Sequence, residues 1–294
     1  MLKNLNPNYA LIYSTILWGT WWYPLRLLNE YAENNAIPLF LSFILVGIVF
    51  LFISFKKVSS FSKKNILFTL IAAFAGGAAM CLYNEGLFRG NVARVLIFFY
   101  LTSVWSTLIE VYFLNKPLTI FRGFSIAAGF TGLFIMTGLD QGNFLPNSFA
   151  DLFAILAGIL WSVAATFLRI NKDLDINFTT SLCILIGGIC VIAATYLPSG
   201  QVLSGFDFEI LSNTFLIIII FAFIWILPAY WLTCMGSDQV DPGRAGIFMM
   251  FEVVIGVFSA FLLANEIITT REFLGAILIL TAPLVELYAS KKSN

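Results

Sequence analysis

Apolar residues run along this chain in long blocks, and polar residues gather in the short stretches between them. A window of about 19 residues, the length that crosses a hydrocarbon core, marks ten blocks. They are 9–28, 37–55, 66–87, 92–114, 121–139, 149–170, 177–197, 212–235, 243–264 and 272–290. No connection is long or polar enough to form a separate soluble domain. The pattern predicts an all-α polytopic membrane protein with ten transmembrane helices. The first block carries bulky tryptophans and no small-x-small cleavage site, so it reads as a retained span and not as a signal peptide.

Lysine and arginine orient the spans. With a cytoplasmic N-terminus, the inside collects Lys3, Lys56, Lys57, Lys63, Lys64, Lys116, Arg122, Arg169, Lys172, Arg244, Lys291 and Lys292. The outside receives Arg26, Arg89, Arg94 and Arg271. Both termini are therefore expected in the cytoplasm, with the chain in a cell membrane of the bacterial inner-membrane kind.

The chain also echoes itself. Ile16-Leu17-Trp18-Gly19 with Arg26 returns as Ile159-Leu160-Trp161-Ser162 with Arg169, an offset of 169 − 26 = 143. Arg94-Val95-Leu96-Ile97-Phe98 returns as Arg244-Ala245-Gly246-Ile247-Phe248 at an offset of 150, and the register continues without a gap from Asn115 and Thr119 to Asn265 and Thr269. Two halves are expected, residues 1–141 and 142–294, with five spans each. Because five is odd, the second half enters the membrane from the opposite side, so the halves are inverted repeats, a recurring plan of secondary transporters.

Ten spans in two repeats, Trp-Gly or Trp-Ser inside spans one and six, and Asn-x-x-x-Thr after spans four and nine resemble the EamA-type permeases of the drug/metabolite transporter superfamily. Asn265-Glu266 matches the family's short Gly/Asn-Glu segment better than Asn115-Lys116 does. The resemblance covers nearly the whole chain. It implies an inverted-repeat carrier with a central cavity, often an exporter, and leaves the substrate open among amino acids, nucleotide sugars, amines, drugs and other metabolites.

Composition strengthens the membrane reading. Hydrophobic residues make up 60% of the chain and charged residues 11%, and mean hydropathy is +0.93. A soluble domain carries about 25% charged residues. A formal net charge of zero argues against nucleic acid as a partner. There is no histidine, which removes the commonest general base and transition-metal ligand. Cys81, Cys183, Cys190 and Cys234 lie in apolar runs and read as small core residues, not as disulfides or a zinc site. No phosphate loop, metal motif or nucleophile with a base is present, so neither an enzyme nor a cofactor is expected.

The candidate chemistry lies in residues that hydrocarbon does not tolerate. Glu252 sits about nine residues into span nine, roughly 14 Å deep at 1.5 Å per residue, near the middle of a ~30 Å core. Glu85 and Glu110 lie near span ends. A deep carboxyl is a substrate or proton site, or a neutral acid that ties two helices together. Trp18, Trp21, Trp22 and Trp161 also sit at mid-depth, away from the interfacial belts where tryptophan is usual. Trp18 shares a helix face with Trp21 and Trp22, Trp161 is its repeat mate, and Tyr100 lies close in depth. Together they would line a cavity, or they fill gaps between helices.

Aromatic walls around one acid suit an organic cation or a zwitterion with an amino group, and stacking would also suit aromatic amino acids. Arg94 and Arg244 begin spans four and nine, and Arg26 and Arg169 end spans one and six, which puts Arg26 and Arg94 at one face and Arg169 and Arg244 at the other. They either snorkel to headgroups or form gates with Glu85 outside and with Asp238 or Asp241 inside. Pro24 and Pro228 are expected to kink spans one and eight.

The function expected from these residues is a secondary carrier of a small organic metabolite. Its partners would be the substrate and the lipid bilayer, with Glu252 open to a coupling proton and a monomer sufficient. The competing classes are an enzyme acting on lipid-linked groups and a sensory or structural membrane protein that moves nothing. In Ile16–Arg26, Trp21, Trp22 and Pro24 have no counterparts in the second half, where Ala164, Ala165 and Phe167 stand. That asymmetry assigns selectivity to Trp21 and Trp22, and the shared wall to Trp18.

Overall fold

The computed structural model describes residues 5–54, 63–90, 92–137, 145–171, 175–197, 201–264 and 269–292. Lys3, Lys56, Lys57 and Lys172, the Asn265-Glu266 pair and the 141/142 boundary between the expected halves lie outside the described residues. The order of elements is α1 (Pro7–Gly19), α2 (Trp22–Tyr31), α3 (Ala36–Ser54), α4 (Lys63–Arg89), α5 (Val92–Tyr100), α6 (Thr102–Phe113) and α7 (Ile120–Thr137), then α8 (Phe149–Ile170), α9 (Ile176–Ala194), α10 (Phe208–Ile220), α11 (Leu227–Gln239), α12 (Pro242–Met249), α13 (Phe251–Ala264) and α14 (Thr270–Lys292). Among the described residues the extended contact is one isolated bridge, between Asn35 and Val202.

Eight helical stretches are long and apolar enough to cross a membrane: Ala36–Ser54, Lys63–Arg89, Arg94–Phe113, Phe149–Ile170, Ile176–Ala194, Phe208–Gln239, Pro242–Leu263 and Thr270–Ala289. They fall on eight of the ten expected blocks. The first block is a broken helix, α1 and α2 joined at Thr20-Trp21, and in the fifth the apolar helix Ile120–Met136 is shorter. Large apolar side chains cover the outside, among them Phe52, Phe74, Phe215, Ile224 and Leu284, each more than half exposed. That surface suits lipid and not water.

Proline accounts for two distortions. Pro24 has no N–H for the carbonyl of Thr20 and its ring crowds that turn, and the helix breaks there. Pro228 stands in the same relation to Ile224, inside a π-helical turn that spans Phe221–Ile226 between α10 and α11. The other two breaks, at Leu101 between α5 and α6 and at Met250 between α12 and α13, contain neither proline nor glycine. They lie within one residue of repeat-equivalent positions.

Close backbone approach holds the middle together. A Cβ on Gly77 of α4 would fall 2.6 Å from the Cys183 carbonyl oxygen and 2.8 Å from the Gly187 nitrogen of α9. On the flank, α7 and α14 touch through Gly132 and Gly275 in the same way. The Asn-x-x-x-Thr echo has a local cause. Asn115 takes a φ of 52° after α6, a left-handed conformation that asparagine tolerates. Thr119 and Thr269 cap α7 and α14, their hydroxyls accepting from the N–H of Arg122 and Glu272. Glu272 bonds back to the Thr269 N–H at 2.6 Å, completing a capping box.

Candidate functional site

The two unprompted helix breaks meet the Trp-Gly and Trp-Ser echoes. Gly19 of α1 lies against the second break, where a Cβ would come 2.7 Å from the Glu252 carbonyl oxygen. Gly158 of α8 lies against the first, where a Cβ would come 2.7 Å from the Phe99 carbonyl oxygen. Thr102 seals that contact, its hydroxyl donating to the Gly158 carbonyl at 2.9 Å beside Ser162 at 2.9 Å. Trp18 and Trp161 are thereby carried to the same interior space from α1 and α8.

That space is a small cavity lined by Trp18, Met80, Tyr83, Phe99, Thr102, Trp161, Thr233, Met249 and Glu252. Its volume open to the centre of a water-sized sphere is about 10 Å³, the room for about one water. Glu252 stands in the first turn of α13, where free backbone N–H groups favour negative charge. The Tyr83 hydroxyl donates to its Oε1 at 2.9 Å, and the Tyr100 hydroxyl lies 2.6 Å from its Oε2. Tyr100 also reaches the Met249 carbonyl at 2.9 Å. Glu252 is 5% exposed and has no ion pair among the described residues.

Trp18 fixes its indole by donating to the Thr233 hydroxyl at 2.9 Å. Behind it lies a purely aromatic nest, with Trp21 4.6 Å and Tyr230 5.3 Å away by ring centroid, backed by Phe43 and Phe221. Trp18, Trp161 and Glu252 therefore line one cavity, and Tyr100 supports Glu252 from outside its wall. Trp21 lies behind Trp18. Trp22 stands apart, its indole donating to Ser259 at 2.9 Å. Sequence reasoning did not single out Tyr83 or Thr233 as site residues, and neither has a spacing that ties it to Glu252.

Ion pairs close both ends of the bundle. At one end Arg94 of α5 pairs with Asp151 of α8 at 2.8 Å, and Glu85 is taken by Arg89, one turn away. At the other, Arg122 of α7 joins Glu110 of α6 and Glu286 of α14, and Glu286 meets Arg244 of α12 at 3.4 Å. Glu110 also accepts the Gly243 N–H. Asp241 takes Arg169 at 3.4 Å and Lys116. Burial pushes the Asp241 carboxyl up, and the Lys116 and Arg169 cations outweigh it, holding the group below the ordinary aspartate range. Of the expected gate pairings, Arg169 with Asp241 is present. Arg94 goes to Asp151 instead of Glu85, and Arg244 to Glu286 instead of Asp238. Arg26 is exposed and makes no ion pair among the described residues.

Comparison with known proteins decides the family. The model of the EamA-like transporter family matches residues 7–138 and again 148–285. The chain belongs to the EamA-like transporter family. As a member of the EamA-like transporters it is a multi-pass membrane protein of the transporter class, built on a segment that the family model matches twice. A Bacillus subtilis (strain 168) protein described as the uncharacterized transporter YoaV is 22% identical over an alignment of 286 residues that covers 92% of this chain and 92% of the other. One crystal structure superposes with a TM-score of 0.73 at 15% identity, covering 95% of this chain and 97% of the other. That likeness shows the fold alone.

Proposed function

We propose that this EamA-like protein is a secondary transporter of a small organic metabolite bearing an amino group, an amine, other organic cation or amino acid. In this reading the chain crosses the membrane ten times in two inverted five-span halves, 1–141 and 142–294. α1 with α2, and α7, supply the two crossings beyond the eight long spans. Both ends face the cytoplasm, and the protein sits in the cell membrane.

The observation that carries the reading is Glu252. It lines the interior cavity with Trp18 and Trp161, it is held by two tyrosine hydroxyls, and no described cation neutralises it. A buried carboxyl kept without a cationic partner is costly in a membrane. A substrate ammonium or a proton would neutralise it, and the tryptophan faces would add cation–π attraction of up to ~2 kcal/mol. Substrate access alternates as Arg94–Asp151 opens at one end and the Arg122, Arg169 and Arg244 pairs open at the other.

Uptake in proteoliposomes tests this. Glu252→Gln should abolish transport or remove its pH dependence while the protein stays folded. Unchanged uptake at every pH would take Glu252 out of the mechanism. A thermal-shift screen against amines, amino acids, quaternary ammonium compounds and nucleosides would assign the class, since a ligand at 100 times its dissociation constant stabilises by about 2.7 kcal/mol. Stabilisation by anions alone would contradict the amino-group reading.

A further inference from the structure

Tyr100 has more acceptors than hydrogens. Its hydroxyl lies 2.6 Å from Glu252 Oε2 and 2.9 Å from the Met249 carbonyl oxygen, and a tyrosine hydroxyl carries one hydrogen. Both contacts are hydrogen bonds at once when Glu252 supplies the second hydrogen. The chain is then Glu252 Oε2–H to Tyr100 Oη, and Tyr100 Oη–H to the Met249 carbonyl. Tyr83 completes it by donating to Oε1. With Glu252 ionised, both tyrosine hydrogens are drawn to the carboxylate and the Met249 carbonyl is left without its donor.

That carbonyl sits at the break in the ninth expected span. In an unbroken helix it would accept from the Val253 N–H, which turns instead to the Met250 carbonyl at 3.2 Å. The Tyr100 hydroxyl therefore stands in for the missing helix bond. At the first break the corresponding carbonyl, that of Tyr100, is served by the Ser103 hydroxyl at 3.0 Å. Ser103 is uncharged and does not titrate, so the two breaks differ in what holds them.

We infer that the proton on Glu252 latches the break between α12 and α13 through Tyr100, and that losing this proton frees the Met249 carbonyl to take the Val253 N–H and straighten the helix. The proton leaves to solvent or to a substrate amine in the cavity, while Tyr100 keeps its own hydrogen and turns it to Oε2. Tyr83 and Tyr100 are the titratable groups that face Glu252 among the described residues. Of the charged groups on the elements packed around it, Glu85 pairs with Arg89 on α4, Arg94 of α5 with Asp151 of α8, Arg169 of α8 with Asp241, and Arg244 of α12 with Glu286 of α14, while the half-buried Asp238 of α11 is no part of the cavity wall. On α1, Tyr9 and Tyr13 are exposed. The inference rests on Glu252 being the working carboxyl and adds the regulation of that site.

Met249-Met250 is the only Met-Met pair in the chain. Methionine labelled with carbonyl ¹³C and amide ¹⁵N therefore isolates the Met249 carbonyl by a nitrogen–carbonyl correlation in solid-state NMR of the full chain in bilayers. The wild-type resonance should shift with pH in step with the Glu252 carboxyl, followed by infrared difference spectroscopy. Glu252→Gln, whose amide can donate to Tyr100, should hold the resonance at its acid position at every pH. Tyr100→Phe should make it insensitive to pH while Glu252 still titrates.

A Met249 carbonyl that ignores the titration of Glu252, or that still follows it in Tyr100→Phe, overturns the latch. So does a Glu252 that keeps one protonation state wherever the protein is folded. The transport reading fails separately, through unchanged uptake by Glu252→Gln, and that result leaves the spectroscopic outcome standing.

Discussion

The indole N–H of Trp225 donates to the hydroxyl of Thr20 at 3.0 Å, and each residue sits at a proline-made distortion. Thr20 marks the break ahead of Pro24, and Trp225 lies in the π-helical turn ahead of Pro228. Thr20 also bonds its own helix, donating to the Ile16 carbonyl at 2.8 Å. One hydroxyl thus serves two irregular segments that are far apart in the chain. Thr20→Val keeps the side-chain shape and removes the acceptor of a half-buried indole N–H, a loss of about 0.5–1.5 kcal/mol for an ordinary hydrogen bond. Thermal unfolding in detergent should show it. Trp225→Phe on the Thr20→Val background should cost less than the sum of the two single changes, because the two groups share one bond.

Glycines at the two helix breaks set a second expectation. Gly19→Ala and Gly158→Ala each drive a methyl group to within 2.7 Å of a backbone oxygen in the opposing helix. Overpacking of this kind costs about 1–3 kcal/mol, and here it also pushes α1 away from α13 or α8 away from α5, and Trp18 or Trp161 with it. Both variants should lose thermal stability and transport together. Gly256→Ala is the internal control. Its nearest neighbour would be the Gly19 carbonyl at 3.6 Å, an ordinary contact, and its stability should stay near wild type.

Arginines divide just as sharply. Arg122→Met leaves Glu110 and Glu286, 1% and 2% exposed, without their shared cation. Removing one member of a buried ion pair costs about 3–5 kcal/mol. Arg26→Gln touches an exposed side chain and should fall within about 0.5 kcal/mol of wild type. Urea or thermal unfolding of the two variants separates these outcomes. Equal stabilities would remove the Arg122 cluster from the structural account.

Much of this architecture was legible because lipid leaves few choices. Backbone polar groups must be satisfied within each span, so apolar blocks are helices, and eight of the ten blocks are long helices here. The proline distortions could be placed in advance, since proline acts on its own preceding turn. Breaks at Leu101 and Met250 could not. The cross-helix bonds of Tyr100 and Thr102 that hold them join residues 56 to 152 positions apart. Tyr83 escaped for the same reason, standing 169 residues from the carboxyl it serves. Glu286 was hidden in an otherwise greasy final span, although Arg244 and Arg122 both needed an acid.

The cavity around Glu252 has a mechanical consequence. With about 10 Å³ open to a water-sized sphere against the ~300–1,000 Å³ of ordinary ligand pockets, this cavity has no room for an organic solute as it stands. Admitting an organic solute means moving aromatic side chains apart and creating space that packed matter had filled. Hydrostatic compression favours whichever state occupies less volume. For the transport cycle proposed above, the pressure dependence of uptake therefore reads how the site opens: a dry opening slows under pressure, and one that floods with water does not.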